Sequence, residues 1–388
     1  MWMKRIRTGL LFALLAGMAG TLLSCKGTPA SSDPILFYVG SSGSQDYSIF
    51  LCSLDLEAQS FAVVDSFTGA AGASYLAPSP GFDKLFAMNQ ASFDPGSGHS
   101  SVSSFEINPE SFALSFINSQ SSEGNGICHI HCSRDGRYIF AANYGSGHAS
   151  AFPVDENGRI GPATAVVIGS GSGPVEDRQE GPHAHMAMLD PSQNFLLVPD
   201  LGTDKIMIYA FDPASGSLSP NPAQAFFSLA AGAGPRHLAF HPDRNWVYVV
   251  NELNSTLTAC RWDPSEGTLT EINTLSTVED SHEGMKYPAA VRVHPNGRYV
   301  YASTRGENSC ISVFRIGEDG SAERIQVMEQ VPLWPRDFNL DPTGHFLIAA
   351  GERSGTIRLY HIDPENGTLG ETGTSLDLPA PANILFIP

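Results

Sequence analysis

Polar turn residues, an aromatic and a short apolar run ending on a small or amide residue recur along this chain about every fifty residues, and such a repeat decides architecture. The instances are Gly81 to Phe86, Asp135 to Phe140, Pro191 to Leu196, Pro242 to Val247, Pro295 to Val300 and Pro342 to Leu347. Each leads into a further strand-like run closed by Asp-Pro or an equivalent turn, most clearly at Phe211-Asp212-Pro213, Trp262-Asp263-Pro264 and Ile362-Asp363-Pro364. Short alternating or apolar runs broken by Gly, Pro, Asn and Asp are strands. Past the N-terminal segment, no stretch has the apolar period of an amphipathic helix.

Four short strands per unit at this spacing predict an all-β chain of propeller blades, because one blade cannot bury its own faces and must stack on its neighbours. Ile35 to Gly40 begins a unit that lacks the strand before the turn, and Asn383 to Ile387 is a lone strand at the other end. The C-terminal strand is expected to complete the first blade, giving a closed seven-bladed β-propeller with no free edge at the seam. Two stacked all-β domains would need a linker, and no composition shift or low-complexity tract supplies one.

The first residues follow a different pattern. Lys4, Arg5 and Arg7 precede a mostly apolar run from Leu10 to Leu23, and Leu22-Leu23-Ser24-Cys25 resembles the bacterial lipobox. That resemblance implies a signal peptide over 1–24, lipidation of Cys25, a polar tether over 25–33 and the propeller over 34–388. The chain is then expected to be exported and held by its lipid on a bacterial membrane, in the periplasm or at the cell surface. A cleaved secretory signal without lipid is the alternative; the apolar run is short for a retained membrane span.

The net charge is -18, and loss of the three N-terminal cations takes it to -21, which repels nucleic acid. Acidity by itself indicates solubility and no particular substrate. Besides Cys25 there are five cysteines, an odd number that cannot all pair. Cys128 and Cys132 sit too far apart along one predicted strand for a disulfide. Cys128-His129-Ile130-His131-Cys132 spreads its donors too widely for one zinc ion, so buried thiols are expected, with neither metal nor cofactor. A closed ring needs no partner to complete its sheets, and a monomer is expected.

Polar residues gather at two phases of the repeat, where a channel-lining strand starts and where the next one ends. Gln179 to His185, Gly234-Pro235-Arg236-His237, Asn251-Glu252, Ser303-Thr304-Arg305-Gly306 and Trp334-Pro335-Arg336-Asp337-Phe338 carry them. Equal phase in successive blades means equal height in the channel, which brings His185, Arg236, Glu252 and Arg305 to one cavity. His183 reads as a residue tying blades together, and His241 and His294, in the repeated His-Pro turn, as turn residues. No nucleophile elbow, Walker loop or dinucleotide fingerprint is present.

These segments, with Ala142-Asn143-Tyr144-Gly145-Ser146-Gly147 and Val198 to Lys205, resemble the seven-bladed lactonase family over essentially the whole chain past the signal. That family includes one class of bacterial 6-phosphogluconolactonase and the fungal carboxymuconate cyclases. The resemblance implies proton transfer by His185, six residues before Pro191, with Arg236 and Glu252 as basic and acidic partners and Arg305 as a second arginine. It implies water attack on the carbonyl of a small anionic lactone, with His185 or Glu252 as general base and arginines stabilising carboxylate or oxyanion charge. A histidine near its ordinary pKa is expected in that role. Arg336, Asn143 and Gln179 are further candidates for substrate binding. A phosphorylated sugar lactone is cytosolic whereas the signal exports the chain, so two alternatives stand: a non-catalytic lipoprotein binding a protein or glycan, and a muconate-type cycloisomerase.

Overall fold

The computed structural model describes residues 34–43, 48–90, 93, 96 and 98–388. Every regular element among them is a strand. The strands form seven antiparallel sheets, which are the seven blades. Pro381–Phe386 is the innermost strand of blade 1 and pairs with Ile35–Ser41, so the C-terminal strand closes the ring as the sequence predicts. The innermost strands of blades 2 to 7 are Leu76–Pro78, Ile127–Cys132, Met188–Leu189, Pro235–Phe240, Tyr287–Val293 and Pro335–Leu340. The predicted signal, Cys25 and the tether lie outside the described residues.

The core is the set of blade-to-blade interfaces. Phe140, Ala151, Leu196 and Phe211 join blades 3 and 4. Leu197, Ile206, Val249 and Trp262 join blades 4 and 5, and Phe37, Phe386, Ile348 and Ile357 join blades 7 and 1 across the closure. No single sheet holds its own core, which is why the sequence shows strand-period patterning without one long apolar block. Phe140→Ala, which empties a fully buried position, is expected to cost about 3–5 kcal/mol.

The recurrent aromatic has a packing role. A Cβ placed at Gly216 of blade 4 would sit 2.5 Å from the Tyr138 ring of blade 3, and one at Gly267 of blade 5 the same distance from the Phe195 ring of blade 4. Trp246 with Gly320 and Tyr299 with Gly367 repeat the contact. These four aromatics therefore rest on a hairpin glycine of the following blade, and there the repeat is a register device for blade stacking. Cys52, Cys128, Cys260 and Cys310 are buried free thiols and Cys132 is half-buried, as expected.

Candidate active site

The innermost strands start at one mouth of the channel, and there the ladder slips. In blade 3, Ile127 pairs with Asn143 and His129 with Ala142, which leaves Cys128 unpaired. Arg236 is skipped between Pro235 and His237 in blade 5, and Arg336 between Pro335 and Asp337 in blade 7. His185 takes this place in blade 4, directly after the Ala184–Asp200 bridge. A bulge inserts one residue and re-aims its side chain. Cys128, His185 and Arg336 border a cavity of about 470 Å³ at this mouth.

A second ring comes from residues that leave the second strands. The N–H groups of Tyr144, Leu201, Glu252 and Glu352 donate to the carbonyls of Gly126, His183, Gly234 and Trp334 at 2.7–3.1 Å. Arg305 takes the same phase in blade 6, opposite Tyr287. Gly126 and Gly234 have φ of 65° and 63°, and blade 7 sets Trp334 in that left-handed conformation at 65°. A tryptophan there carries strain of about 1–3 kcal/mol. Its ring lies 3.3 Å from the Arg353 guanidinium and 5.4 Å from that of Arg305, so cation–π contacts offset part of it.

Glu252 is the electrostatic centre. It is buried, and its Oε1 accepts from Arg178 Nη2 at 2.6 Å while Arg305 Nη2 donates to Oε2. Arg236 Nε lies 3.0 Å from Oε2 but off the hydrogen-bond line, so that contact is ionic. Burial opposes the carboxylate charge, yet Arg305, Arg236 and Arg178 outweigh it and hold the carboxyl at about 2. Burial, then Arg305, lowers Arg236 to about 9, which leaves it cationic at neutral pH. Burial works against Arg178 as well, and Glu252 more than compensates, so its pKa rises. Arg336 has a looser partner, Glu352, at 3.8 Å. Four guanidiniums thus face two carboxylates in a protein of net charge -18, and the surplus is positive.

His185 is 5% exposed. Its N–H donates to Pro199 O at 2.9 Å, and its ring meets those of Tyr144 and His237 edge to face, each at 5.4 Å. Nδ1 lies 3.6 Å from Cys128 Sγ, and Nε2 has no hydrogen-bond partner among the described residues. Burial, then Arg236, Arg336 and Arg305, pushes its pKa well below the ordinary value. This corrects the expectation of a near-normal histidine: the ring is neutral throughout the neutral range because charging it would add a cation beside three.

The structure brings His185, Glu252 and Arg305, three of the four residues expected at one cavity, to its wall together with Arg336, while the buried Arg236 does not border it and joins the group through Glu252. Asn143 and Gln179 do not border the cavity. Gln179 is fully buried and donates from Nε2 to Leu201 O at 2.8 Å and to Asp204 Oδ1 at 2.7 Å, and Asn143 donates from Nδ2 to Ser122 O at 3.0 Å. Both hold loops against the wall. His183 stacks on Tyr144 at 4.4 Å and bonds its carbonyl, which fits a tie between blades. Arg178 and Tyr144 line the cavity and were not singled out as site residues. Tyr144 shares the phase of Glu252, a signal that could have found it. Arg178 comes from a loop outside the repeat and has no such signal.

One step further along the innermost strands lies a second polar set. Arg292 Nη2 donates to Asp337 Oδ1 at 2.8 Å, Asn383 Nδ2 to Asp337 Oδ2 at 2.6 Å, and the rings of Tyr75, His129 and His237 follow at 4.2 and 5.5 Å. No group of three or more His, Cys, Asp or Glu among the described residues is placed to hold a metal.

A closed seven-bladed propeller with a cationic cavity at one channel mouth is the class that fold and site define. The family described as Lactonase, 7-bladed beta-propeller matches residues 36–386, and this chain belongs to it. It is 34% identical over 297 residues to the 6-phosphogluconolactonase of Bacillus subtilis strain 168, covering 76% of this chain and 83% of that one. The periplasmic gluconolactonase of Pseudomonas aeruginosa superposes with a TM-score of 0.85 at 25% identity, over 92% of this chain and 99% of the other. A putative 6-phosphogluconolactonase from Bacteroides fragilis gives 0.84 at 27% identity, over 93% and 100%.

Proposed function

We infer that this protein is a lactonase that opens an anionic sugar lactone by water attack at the channel-mouth cavity. The observation that carries this reading is a neutral histidine with one nitrogen free, set beside a surplus of guanidinium charge. Water adds to the lactone carbonyl as His185 Nε2 accepts its proton, and arginines hold the oxyanion. The ring C–O bond then breaks, and the same proton passes from His185 to the departing alkoxide oxygen. The new carboxyl group ionises and releases one proton to solvent. Of the two candidate bases, Glu252 is the less suited, because three arginines occupy its two oxygens whereas His185 Nε2 has no partner among the described residues. Its work is to fix those arginines. Arg336, with the loosest partner, is the guanidinium freest to engage a carboxylate or phosphate on the substrate.

The test is hydrolysis of glucono-lactone and its 6-phosphate by the full chain, followed as acid release with spontaneous opening subtracted. Turnover of both, with a clear preference for the phosphorylated lactone, is expected. A rate equal to background for both contradicts the reading.

We also propose that the chain lies outside the cytosol, anchored through Cys25, with residues 1–24 removed. The basic start, the apolar run and Leu22-Leu23-Ser24-Cys25 support this, as does likeness to a periplasmic gluconolactonase. Cys25→Ala should move the protein from the membrane fraction to the soluble fraction; unchanged fractionation contradicts the anchor. A monomer is expected in detergent, checked by light scattering.

A further inference from the structure

We propose that Cys128 is the positioning residue of His185, its thiol sulfur holding Nδ1–H so that Nε2 is the basic nitrogen offered to the cavity. The inference rests on the reading of His185 as the base.

Phase gives the first support. Cys128 occupies in blade 3 the bulge position that holds His185, Arg236 and Arg336 in blades 4, 5 and 7. In blade 6 the corresponding slip leaves Ala289 and Ala290 unpaired. The bulge therefore does not demand a polar side chain, and the thiol stands where its neighbours carry the chemistry.

Geometry gives the second. Cys128 Sγ is the sole hydrogen-bond partner of His185 Nδ1 among the described residues, at 3.6 Å, a sulfur hydrogen-bond distance. Three carbonyl oxygens surround the same sulfur: His185 O at 3.4 Å, Ala184 O at 3.6 Å and Ala142 O at 3.7 Å. A thiol has one proton to donate, and any of these carbonyls takes it. The sulfur lone pairs then remain for donors, and Nδ1–H is the side-chain donor within reach, beside the backbone N–H of Tyr144. Burial pushes the Cys128 thiol up to about 12, so it stays protonated and neutral.

The usual partner behind a catalytic histidine is a carboxylate, which orients the ring and raises its basicity. A neutral thiol orients the ring without a charge. In this cavity Arg236, Arg305 and Arg336 already act on His185, with Glu252 turned toward the arginines and Tyr144 and His237 packed on the ring. Nothing anionic touches Nδ1, in keeping with a base that remains neutral.

The test uses the full chain carrying Cys128→Ser, Cys128→Val or Cys128→Ala. Lactone hydrolysis is read together with histidine ¹⁵N shifts, and the His185 signal is assigned by its loss in His185→Gln. Serine keeps an acceptor and should hold kcat within about threefold, whereas valine keeps the volume without the acceptor and should lower kcat about 10- to 100-fold at little-changed KM, as a misaligned base does. Alanine should behave as valine. The ¹⁵N shifts should report the Nδ1–H form in wild type and Cys128→Ser and a shift toward the Nε2–H form in Cys128→Val. Full activity and an unshifted tautomer in Cys128→Val reduce the cysteine to packing and overturn the proposal. If His185→Gln itself retains hydrolysis, the reading of His185 as the base fails first and takes this proposal with it.

Discussion

The two mouths of the channel are built from the same repeat and use it in opposite ways. At the mouth away from the cavity, the N–H groups of Ser79, Ser133, Asp190, His241, His294 and Asp341 donate to the carbonyls of Lys84, Tyr138, Phe195, Trp246, Tyr299 and Phe346 at 2.8–2.9 Å. Their side chains all accept from N–H groups of the turn that follows, whether the acceptor is a serine Oγ, an aspartate Oδ1 or a histidine Nδ1. Serine, aspartate and histidine all serve there because each supplies the acceptor that the turn needs. At the cavity mouth the backbone bond also repeats, but successive blades place a thiol, an imidazole and a guanidinium at the bulge. Identity is free where the task is structural and differentiated where charge and proton transfer must meet.

The sharpest way to break that contrast is at His185. His185→Ala should lower kcat for lactone hydrolysis, per folded molecule, about 10²- to 10⁴-fold, with the cavity left by a buried ring costing about 0.5–3 kcal/mol of unfolding free energy. Glu252→Gln should harm both properties, since it leaves two buried guanidiniums and the half-buried Arg178 without their counter-charge; urea titration should show a loss of about 3–5 kcal/mol.

Acid should weaken the fold through the channel histidines. Burial lowers His129, His185 and His237 well below 6.5 and His131 to about 4. The unfolded chain takes up these protons near pH 6.5 and the folded chain does not. Stability is therefore full above that pH and falls as pH drops toward 4, with a slope approaching about 1.4 kcal/mol per pH unit for each histidine. Denaturant midpoints between pH 7 and 4.5 measure it, and a flat profile would show the rings to be charged in the folded state. The smallest effect belongs to the opposite mouth. His294 Nε2 bonds Gly344 O at 2.8 Å in the next blade and its Nδ1 accepts from Asn296 N–H, so His294→Ala should cost about 1–3 kcal/mol with kcat per folded molecule unchanged.

Much of this was legible in the sequence because a repeat reports both period and phase. The aromatic turns gave the blade count, the lone C-terminal strand gave the closure, and phase gave His185, Arg236, Glu252, Arg305 and Arg336. His241 and His294 were legible as turn residues from their His-Pro context. What failed had no periodic signature. Arg178 reaches Glu252 from a loop between blades 3 and 4. Gln179, its neighbour, is polar and well placed in sequence, but its donors are consumed by Leu201 and Asp204. The lowered basicity of His185 depends on burial and on three arginines from blades 5, 6 and 7, a sum that no local motif encodes.

The central claim is that chemistry resides at one mouth and structure at the other. It is tested most directly by kcat/KM for hydrolysis of glucono-lactone 6-phosphate, per folded molecule, in wild type, His185→Ala and His294→Ala. The account predicts near-background turnover for His185→Ala and wild-type turnover for His294→Ala. Equal turnover in all three, or loss in His294→Ala alone, would contradict it.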